Sequence, residues 1–390
     1  MPTRNRAHLL AHSLQSALEQ SFDDYEIIVC DNASADETAS LVRQISDSRV
    51  RYVRADRMLS MPDNWEFALS FARGAYVTYL CDDDAVSPRL LQSVADAIAG
   101  QKSNVVTWAC GGYYHDNWYE SDLRNTVQLP AVSCRLQEMD APRILRKWFD
   151  ELWPAEPSPK MLQSCCSREL IERLKGRAGR FFVSPCPDVA AAVMTLSAVE
   201  SYTHIDNVLM LSGSARESNG AAQWYNKRAV VKTFADEFQG KLFNHVPMQT
   251  LVTINFVAET LLEVKRLLSD KLNHLELNWN LYFTHCYRAL LATGENGTDV
   301  SEELAEFHRT LDEQSESLAK EVRQQLSFEK SPQSQGVVRR IVKSNPLLEK
   351  AVRAVIGNRR RQNHTIRGET VNCFNILDCA RRMDELVSAQ

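Results

Sequence analysis

The chain has 390 residues and a formal net charge of −5, and it is 44% hydrophobic and 24% charged. The composition is that of an ordinary globular protein, and the chain is long enough for two domains. Its mild acidity argues against a nucleic-acid-binding protein. The sequence has no apolar leader and no apolar stretch of about 18 residues, so neither export nor a membrane span is predicted. Ten scattered cysteines without zinc-site spacing predict reduced thiols in a cytoplasmic protein.

The first 110 residues alternate between helical and strand patterns. Ser34 with Glu37, and Asp63 with Glu66, have the spacing of helix N-terminal capping pairs. In chain order, the predicted elements are helix 7–20, strand 25–30, helix 34–45, strand 50–54, helix 63–74, strand 75–80, helix 87–100 and strand 104–109. This alternation predicts an α/β fold in which helices flank a mostly parallel sheet.

Three consecutive aspartates, Asp82 to Asp84, follow the strand pattern of residues 75–80. The carboxyl edge of such a sheet is where α/β folds bind ligands, and Asp31 ends an earlier strand at the same edge. Adjacent carboxylates repel one another, and a divalent cation such as Mg²⁺ or Mn²⁺ would offset that repulsion. The alternative interpretation is a solvated acidic turn. Neither of the usual glycine-rich phosphate loops occurs in the sequence.

Four short motifs together resemble family 2 glycosyltransferases of the GT-A fold. They are Pro2-Thr-Arg-Asn-Arg6, Asp31-Asn-Ala-Ser-Ala-Asp36, Asn64, and the run from Gly74 to Asp84 followed by Pro88. The resemblance is strong over residues 1–110 and fades through about residue 220. It implies a nucleotide-sugar donor, a divalent cation and transfer with inversion at the anomeric carbon.

The resemblance also implies roles for individual residues. Asp83 and Asp84 would bind the metal, although a site read as Asp82 and Asp84 stays open. The family pattern has an aspartate where this chain has Cys81, which is expected to be a packing residue because soft sulfur suits Mg²⁺ or Mn²⁺ poorly. The implied donor-binding residues are Pro2, Thr3, Asn5, Asp31, Asn64 and Asp82.

Inverting transfer needs a general base for the acceptor hydroxyl. Asp188 is the candidate, because it follows Pro185 and Pro187 and begins a helical pattern. An N-cap role for Asp188 is the alternative, and Asp206 and Glu217 are weaker candidates for the base. The polar stretch of residues 213–220 could close over donor phosphates, with Arg216 as the countercharge.

The expected domains are a GT-A domain over residues 1–222, a helical region over 223–330 and a basic amphipathic tail over 331–390. The first domain divides into a nucleotide-binding half, 1–110, and an acceptor half, 111–222. Helical patterns span residues 250–268, 275–291 and 302–326, and this region could mediate homo-oligomerisation. Residues 330–361 carry nine Lys or Arg and one Glu, which suits peripheral contact with anionic lipid at the inner face of a membrane. A solvated helix is the alternative.

A GT-A sheet begins with an apolar strand that leads directly into the first motif, and here Met1 stands immediately before Pro2. The first strand is therefore expected to be missing, and the true start to lie upstream. The predicted function is metal-dependent inverting transfer of a sugar, with a UDP-sugar as the leading donor, to a hydroxyl of a glycan, lipid-linked or other acceptor. A catalytically inactive nucleotide-sugar-binding protein and a sugar-nucleotide pyrophosphorylase are the alternatives.

Overall fold

A computed structural model describes residues 1–218, 228–238, 240, 242–295, 297–330 and 363–388. The strands within these ranges are β1 (Pro2–Thr3), β2 (Ile27–Asp31), β3 (Val50–Arg54), β4 (Tyr76–Thr78), β5 (Ala85–Val86), β6 (Val105–Tyr114), β7 (Thr126–Pro130), β8 (Leu136–Asp140), β9 (Ser164–Ser167), β10 (Ser201–Ser214) and β11 (Asn363–Arg367).

The helices of the N-terminal part of the chain are α1 (Ala7–Leu18), α2 (Thr38–Arg43), α3 (Met61–Leu69), α4 (Leu90–Gln101), α5 (Ala141–Glu151), α6 (Arg168–Ala178) and α7 (Pro187–Leu196). Those that follow are α8 (Arg228–Asp236), α9 (Thr253–Leu267), α10 (Ser269–Leu272), α11 (Trp279–Glu295), α12 (Ser301–Asp312), α13 (Glu316–Lys330), α14 (Ile376–Arg381) and α15 (Met383–Ser388). Short 3₁₀ helices span Ser121–Leu123 and Gly368–Val371.

The strands form two sheets. The first has the order β1-β2-β3 and is parallel throughout, as the alternating pattern predicts. The second has the order β11-β7-β6-β10-β5. In addition, β8 pairs with β10, and β9 pairs with both β6 and β4. Only β6 and β10 run parallel in this sheet, and the other described pairs are antiparallel. The architecture is thus α/β with helices around a parallel first sheet and a mixed second sheet.

Strand β1 consists of two residues, Pro2 and Thr3, and the apolar strand expected before Pro2 stays a prediction. Pro2 and Thr3 pair with Cys30 and Asp31 in parallel register. Met1 extends the contact, because its amino group donates to the Ile28 carbonyl and its own carbonyl accepts from the Cys30 N–H, both at 2.8 Å. Two residues suffice for this pairing, because the hydrogen bonds of a parallel ladder involve only the residues that lie beside the neighbouring strand.

Two predicted helix starts differ from the structure. Helix α3 begins at Met61, two residues earlier than predicted, because Ser60 is its N-cap and accepts from the Asp63 N–H at 3.4 Å. Ser34 does not cap α2, and its hydroxyl instead accepts from the Asn5 N–H at 2.9 Å. The capping spacing alone therefore does not predict the contact of Ser34, which joins the loop before α2 to the loop before α1.

The helical region shares one hydrophobic core with the N-terminal part of the chain. Buried side chains of α5, α7, α9 and α11, including Trp148, Val193, Phe256 and Phe283, belong to one cluster. The predicted helices over 250–268 and 275–291 correspond to α9 and α11, whereas the third pattern divides into α12 and α13. None of the helices in the described ranges combines the length and apolarity that crossing a membrane requires.

The last described segment, residues 363–388, folds back onto the N-terminal part, which corrects the prediction of one tail over 331–390. Strand β11 pairs with β7, and Arg381 of α14 forms an ion pair with Glu19. Apolar side chains recur at helical spacing and cover a core beside β6, β7 and β10; these are Ile376, Cys379, Ala380, Met383 and Leu386. The predicted lipid-binding segment, 330–361, lies outside the described residues except for Lys330.

Replacing Ile376 should show that this packing supports the fold. Ile376 is 1% exposed, whereas nearby Phe374 is 63% exposed. We expect Ile376→Ala to lower the free energy of unfolding by about 2–5 kcal/mol, because it leaves a cavity. The control, Phe374→Ala, should change it by less than about 0.5 kcal/mol. Equal urea-unfolding midpoints for the two variants would show that the segment is not packed as described.

Strand β10 passes very close to the segment that follows β4. A Cβ added at Gly213 would lie 1.7 Å from the Asp83 carbonyl oxygen and 2.6 Å from His115 Nε2. By contrast, a Cβ at Gly112 on the adjacent strand would meet nothing closer than Gln128 Cβ at 3.8 Å. Only glycine fits at position 213 without moving the backbone.

We therefore expect Gly213→Ala to destabilise the protein by about 1–3 kcal/mol or more, the usual cost of overpacking. Gly112→Ala is the matched control and should leave stability within about 0.5 kcal/mol of the parent chain. Thermal unfolding of both variants measures the difference. The close approach is contradicted if Gly213→Ala is as stable as Gly112→Ala.

Candidate active site

The three consecutive aspartates lie in a turn between β4 and β5. The turn is closed by the Asp84 N–H, which donates to the Cys81 carbonyl at 3.3 Å, and Ser13 Oγ donates to the same carbonyl at 2.7 Å. Asp82, Asp83 and Asp84 are only 3%, 7% and 3% exposed. This burial excludes the alternative of a solvated acidic turn.

Asp82 is bound by the first loop of the chain. Thr3 Oγ1 donates to Asp82 Oδ2 at 2.8 Å, and Arg6 Nη1 donates to Asp82 Oδ1 at 3.0 Å. The same Arg6 nitrogen lies 3.8 Å from Asp83 Oδ2, and Arg6 Nη2 donates to the Glu217 carbonyl. Burial opposes the charge of Arg6, but Asp82 and Asp83 outweigh it and raise the arginine pKa above its usual value.

Asp83 and Asp84 are held from the side of β6 and β10. Ser218 Oγ donates to Asp83 Oδ2 at 2.5 Å, and His115 Nε2 lies 2.9 Å from the Asp83 carbonyl oxygen. The Gly213 N–H donates to Asp84 Oδ1 at 2.9 Å. These contacts fix both carboxylates at the carboxyl end of β10, next to the loop that follows β6.

The cluster carries more negative charge than its surroundings balance. Burial raises the pKa of Asp82, against the effect of Arg6, and burial together with Asp83 raises the pKa of Asp84 well above its usual value. In the described part of the chain, Arg6 is the one side-chain cation that forms an ion pair with these aspartates, so three carboxylates face one guanidinium. Ionisation of all three carboxylates would leave two negative charges unbalanced, which is the charge that one divalent cation neutralises.

The atoms that could hold such a cation are close together. Cys81 Sγ and one carboxylate oxygen each of Asp83 and Asp84 all lie within 4.8 Å of one another. Asp82 is not part of this group, because its carboxylate faces Thr3 and Arg6. The residues present fit an Mg²⁺ or Mn²⁺ ion, which prefers carboxylate oxygens. Asp83 with Asp84 suits this site better than Asp82 with Asp84.

The predicted donor-binding residues of the first two motifs lie side by side. Asn5 is exposed, has a left-handed backbone (φ 53°), and its Oδ1 accepts from the Ala35 N–H at 2.7 Å. Thr3 pairs with Asp31 across β1 and β2 and also contacts Asp82. Pro2 is buried in β1, and buried Asn64 on α3 lies beside Cys30, with Cys30 Sγ 3.4 Å from Asn64 Oδ1.

The sequence predicts that Asp31 binds the donor substrate. In the structure its carboxylate already accepts hydrogen bonds from three groups of the protein. The Ser34 N–H donates to Oδ1 at 2.7 Å, Arg54 Nη1 donates to Oδ2 at 2.5 Å, and Tyr52 also donates to Oδ2. Burial opposes ionisation, but these hydrogen bonds outweigh it and lower the Asp31 pKa. Arg54 and Tyr52 therefore contact the carboxylate that the resemblance assigns to donor binding.

Asp188 lies in the first turn of α7, as predicted, but Cys186 is the N-cap. Burial raises the Asp188 pKa, and Lys160 partly offsets the rise. The preceding segment is anchored by Glu66, whose Oε2 accepts from the N–H groups of Phe181 and Phe182 at 3.0 Å. Within the described ranges, no hydrogen bond or ion pair joins Asp188 to the aspartate cluster.

The weaker candidates for the base have structural partners. Asp206 accepts from Ser133, and Glu217 accepts from Asn117 Nδ2 at 2.8 Å. Arg216 lies over the Tyr119 ring, with 5.6 Å from its guanidinium carbon to the ring centroid. Arg6 is the countercharge to the aspartates, and the role of Arg216 as a countercharge to donor phosphates stays a prediction.

Four residues that touch the cluster carry no individual prediction from the sequence: Arg6, His115, Gly213 and Ser218. Arg6 belongs to the first motif, and its positive charge is the one sequence signal that could have predicted its ion pairs with Asp82 and Asp83. Gly213 and Ser218 belong to the polar stretch of residues 213–220, of which 219 and 220 lie outside the described residues. His115 has no sequence signal, because its contact follows from the pairing of β6 with β10.

Comparison with known proteins gives one family and several partial relatives. Residues 1–162 match the family model "Glycosyl transferase family 2". A Campylobacter jejuni protein, GalNAc(5)-diNAcBac-PP-undecaprenol beta-1,3-glucosyltransferase, is 34% identical over 118 residues, which are 30% of this chain and 35% of that protein. The Escherichia coli protein UDP-Glc:alpha-D-GlcNAc-diphosphoundecaprenol beta-1,3-glucosyltransferase WfgD is 32% identical over 84 residues, 22% of this chain and 33% of its own.

The chain thus spans about a third of the length of these two relatives. Among solved structures, S. aureus TarS 1-349 in complex with UDP-GlcNAc aligns with a TM-score of 0.43 and 13% identity, covering 75% of this chain and 79% of that one. The family match contains the first motif, the Asp31 loop, Asn64 and the whole aspartate cluster. Over residues 1–162 this chain is therefore similar to glycosyl transferase family 2.

Proposed function

We propose that this chain is a metal-dependent, inverting glycosyltransferase that moves a sugar from a nucleotide-sugar donor to an acceptor hydroxyl. The observation that carries the proposal is the buried aspartate cluster, in which three carboxylates face one guanidinium within a family 2 domain. Folding alone gives no reason to bury unbalanced charge, because its desolvation is costly. A site that receives a cation and a diphosphate together gives such a reason.

In this proposal Asp83 and Asp84 hold the divalent cation, Mn²⁺ or Mg²⁺. When bound, the cation would neutralise the donor diphosphate and stabilise the leaving nucleoside diphosphate. Asp82 orients Arg6 and Thr3 beside it. The donor would lie along the loop of Pro2, Thr3 and Asn5 and reach Arg54 and Tyr52 at Asp31, while Asn64 supports the floor of this region from α3.

Asp188 is proposed as the general base. Its carboxylate would accept the proton of the acceptor hydroxyl as that oxygen bonds to the anomeric carbon and the sugar–phosphate bond breaks, which inverts the configuration. Burial favours this role, because a carboxylate whose pKa is raised holds the proton more strongly. Glu66 keeps the approach to Asp188 in place through Phe181 and Phe182.

The proposed donor is a UDP-sugar, and the proposed acceptor is a glycan or a lipid-linked sugar. Support comes from the relatives, whose names specify UDP-Glc as donor or undecaprenol-linked acceptors. Peripheral membrane contact through residues 330–361 stays a prediction, because this basic segment lies outside the described residues except for Lys330. Cytoplasmic location and homo-oligomerisation also stay predictions.

Removing one ligand charge should strongly weaken metal-dependent donor binding. We expect Asp83→Asn and Asp84→Asn each to weaken UDP binding in the presence of Mn²⁺ by about tenfold or more, on the scale of losses around metal sites. Asp122→Asn, at an exposed carboxylate, is the charge-matched control and should bind as the parent chain does. Calorimetric titration with and without Mn²⁺ measures this. Unchanged Mn²⁺ dependence in both cluster variants would refute the assignment.

Removing the proposed base should separate binding from turnover. We expect Asp188→Asn to bind UDP normally and to lower kcat by about 10²–10⁴-fold, the usual contribution of a general base. A variant that binds donor poorly but turns over normally at saturation would place the base elsewhere. Normal donor binding without transfer or donor hydrolysis in the parent chain would favour an inactive nucleotide-sugar-binding protein.

The pH dependence follows from the direction of the Asp188 pKa shift. The base must be ionised, so kcat should rise with pH as Asp188 loses its proton and fall as pH is lowered through its pKa. Because burial raises this pKa, the acidic limb should lie above the pH at which an ordinary aspartate titrates. The residual activity of Asp188→Asn should lack this limb. An acidic limb retained in the variant would belong to another group.

A further inference from the structure

Cys81 lies at the entrance to the turn that carries the metal-binding candidates. Its Sγ and the nearest oxygens of Asp83 and Asp84 lie within 4.8 Å of one another, and this is the one such group of three metal-ligating side chains found in the described residues. The thiol is half-buried at the border of the main core. Cys81 thus packs against this core and also lies within 4.8 Å of a carboxylate oxygen of Asp83 and of Asp84.

The backbone holds Cys81 in this place. Its carbonyl accepts from Ser13 Oγ at 2.7 Å and from the Asp84 N–H at 3.3 Å, so the turn from residue 81 to residue 84 is closed at both ends. Ser13 is itself fully buried on α1. The sulfur therefore starts from a fixed point, and rotation about its own side-chain bond suffices to direct it at an ion between Asp83 and Asp84.

We propose that Cys81 is a third protein ligand of the divalent cation and that it makes the site prefer cations with affinity for sulfur over Mg²⁺. The proposal rests on the metal site of the proposed function and changes the expected role of Cys81 from packing to ligation. Sulfur ligands suit Zn²⁺ and Co²⁺, whereas Mg²⁺ takes oxygen ligands. On binding, the S–H bond breaks, its proton leaves to the solvent, and a sulfur–metal bond forms without any change of oxidation state.

The position of the sulfur supports this ligand set. Asp83 and Asp84 each supply a carboxylate oxygen, and the Cys81 sulfur lies within 4.8 Å of both. An aspartate at position 81, as in the family pattern, would supply a hard oxygen instead. The difference between sulfur and oxygen at one position then determines which cation the site prefers.

Cobalt titration of the full chain tests the proposal without any sugar transfer. Co²⁺ bound to a thiolate gives a near-ultraviolet charge-transfer band, which the parent chain should develop on addition of Co²⁺. We expect Cys81→Ser to lose the band and to weaken Co²⁺ binding by about tenfold or more, while Mg²⁺ binding changes little. Cys81→Asp should bind Mg²⁺ more tightly than the parent chain.

Cys110→Ser is the matched control, because that thiol is half-buried and close to Asp84 but is not in the ligand group. It should keep the band, and Asp83→Asn should lose it. The proposal is overturned if the parent chain binds Co²⁺ without a thiolate band, or if the band survives in Cys81→Ser or Asp83→Asn. Absence of any Co²⁺ or Mn²⁺ binding, with or without UDP, would overturn the metal site as a whole.

Because the parent chain alone shows whether the band exists, misfolding of one variant does not decide the outcome. Thermal unfolding of Cys81→Ser and Cys110→Ser checks that both retain the fold. Equal Co²⁺-to-Mg²⁺ preference in the parent chain and in folded Cys81→Asp would refute the selectivity. Loss of UDP binding together with an intact thiolate band would instead count against the proposed function and leave the ligand assignment in place.

Discussion

The burial of three neighbouring carboxylates against one guanidinium is the constraint on which the rest of the site depends. Like charges in a dry environment repel strongly, so each aspartate needs donors that fix it and a cation that balances it. The chain supplies donors from widely separated segments: Thr3 and Arg6 from the first loop, the Gly213 N–H from β10, and Ser218 after it. The remaining negative charge is what a divalent cation would neutralise.

This arrangement also connects the two sheets. Thr3 pairs with Asp31 at the end of the first sheet and donates to Asp82, which follows β4 of the second. Gly213 allows β10 to approach the Asp83 backbone closely enough for its N–H to reach Asp84. A binding site assembled at such a junction is sensitive to small backbone shifts, because each sheet contributes only some of its groups. The same segments that hold the acids thus hold the sheets together.

The sequence predicts the parts of this design that depend on neighbouring residues. The strand before Asp82, the helix that begins near Asp188 and the parallel pairing of β2 with β3 all follow from local patterns and appear in the structure. The repulsion within the aspartate run is itself a local property, and it correctly marks residues with an unusual environment.

Long-range contacts could not be predicted in the same way. The engagement of Asp31 by Arg54 depends on the neighbouring strand, and the ion pair between Glu19 and Arg381 joins opposite ends of the chain. Helix α14 is short, so its apolar face gives little signal until the surface that it covers is known. The donors to the cluster from β10 are backbone or small polar groups, which carry no distinctive sequence pattern.

The central claim is that the excess charge of the cluster exists to bind a divalent cation together with a nucleotide. Anomalous diffraction at the manganese edge, from crystals grown with Mn²⁺ and UDP, tests it most directly. The account predicts one strong peak between Asp83 and Asp84, with the UDP diphosphate in contact with the ion and the nucleoside near Arg54. UDP bound at this edge without an ion, or manganese bound only at other acidic residues, would contradict it.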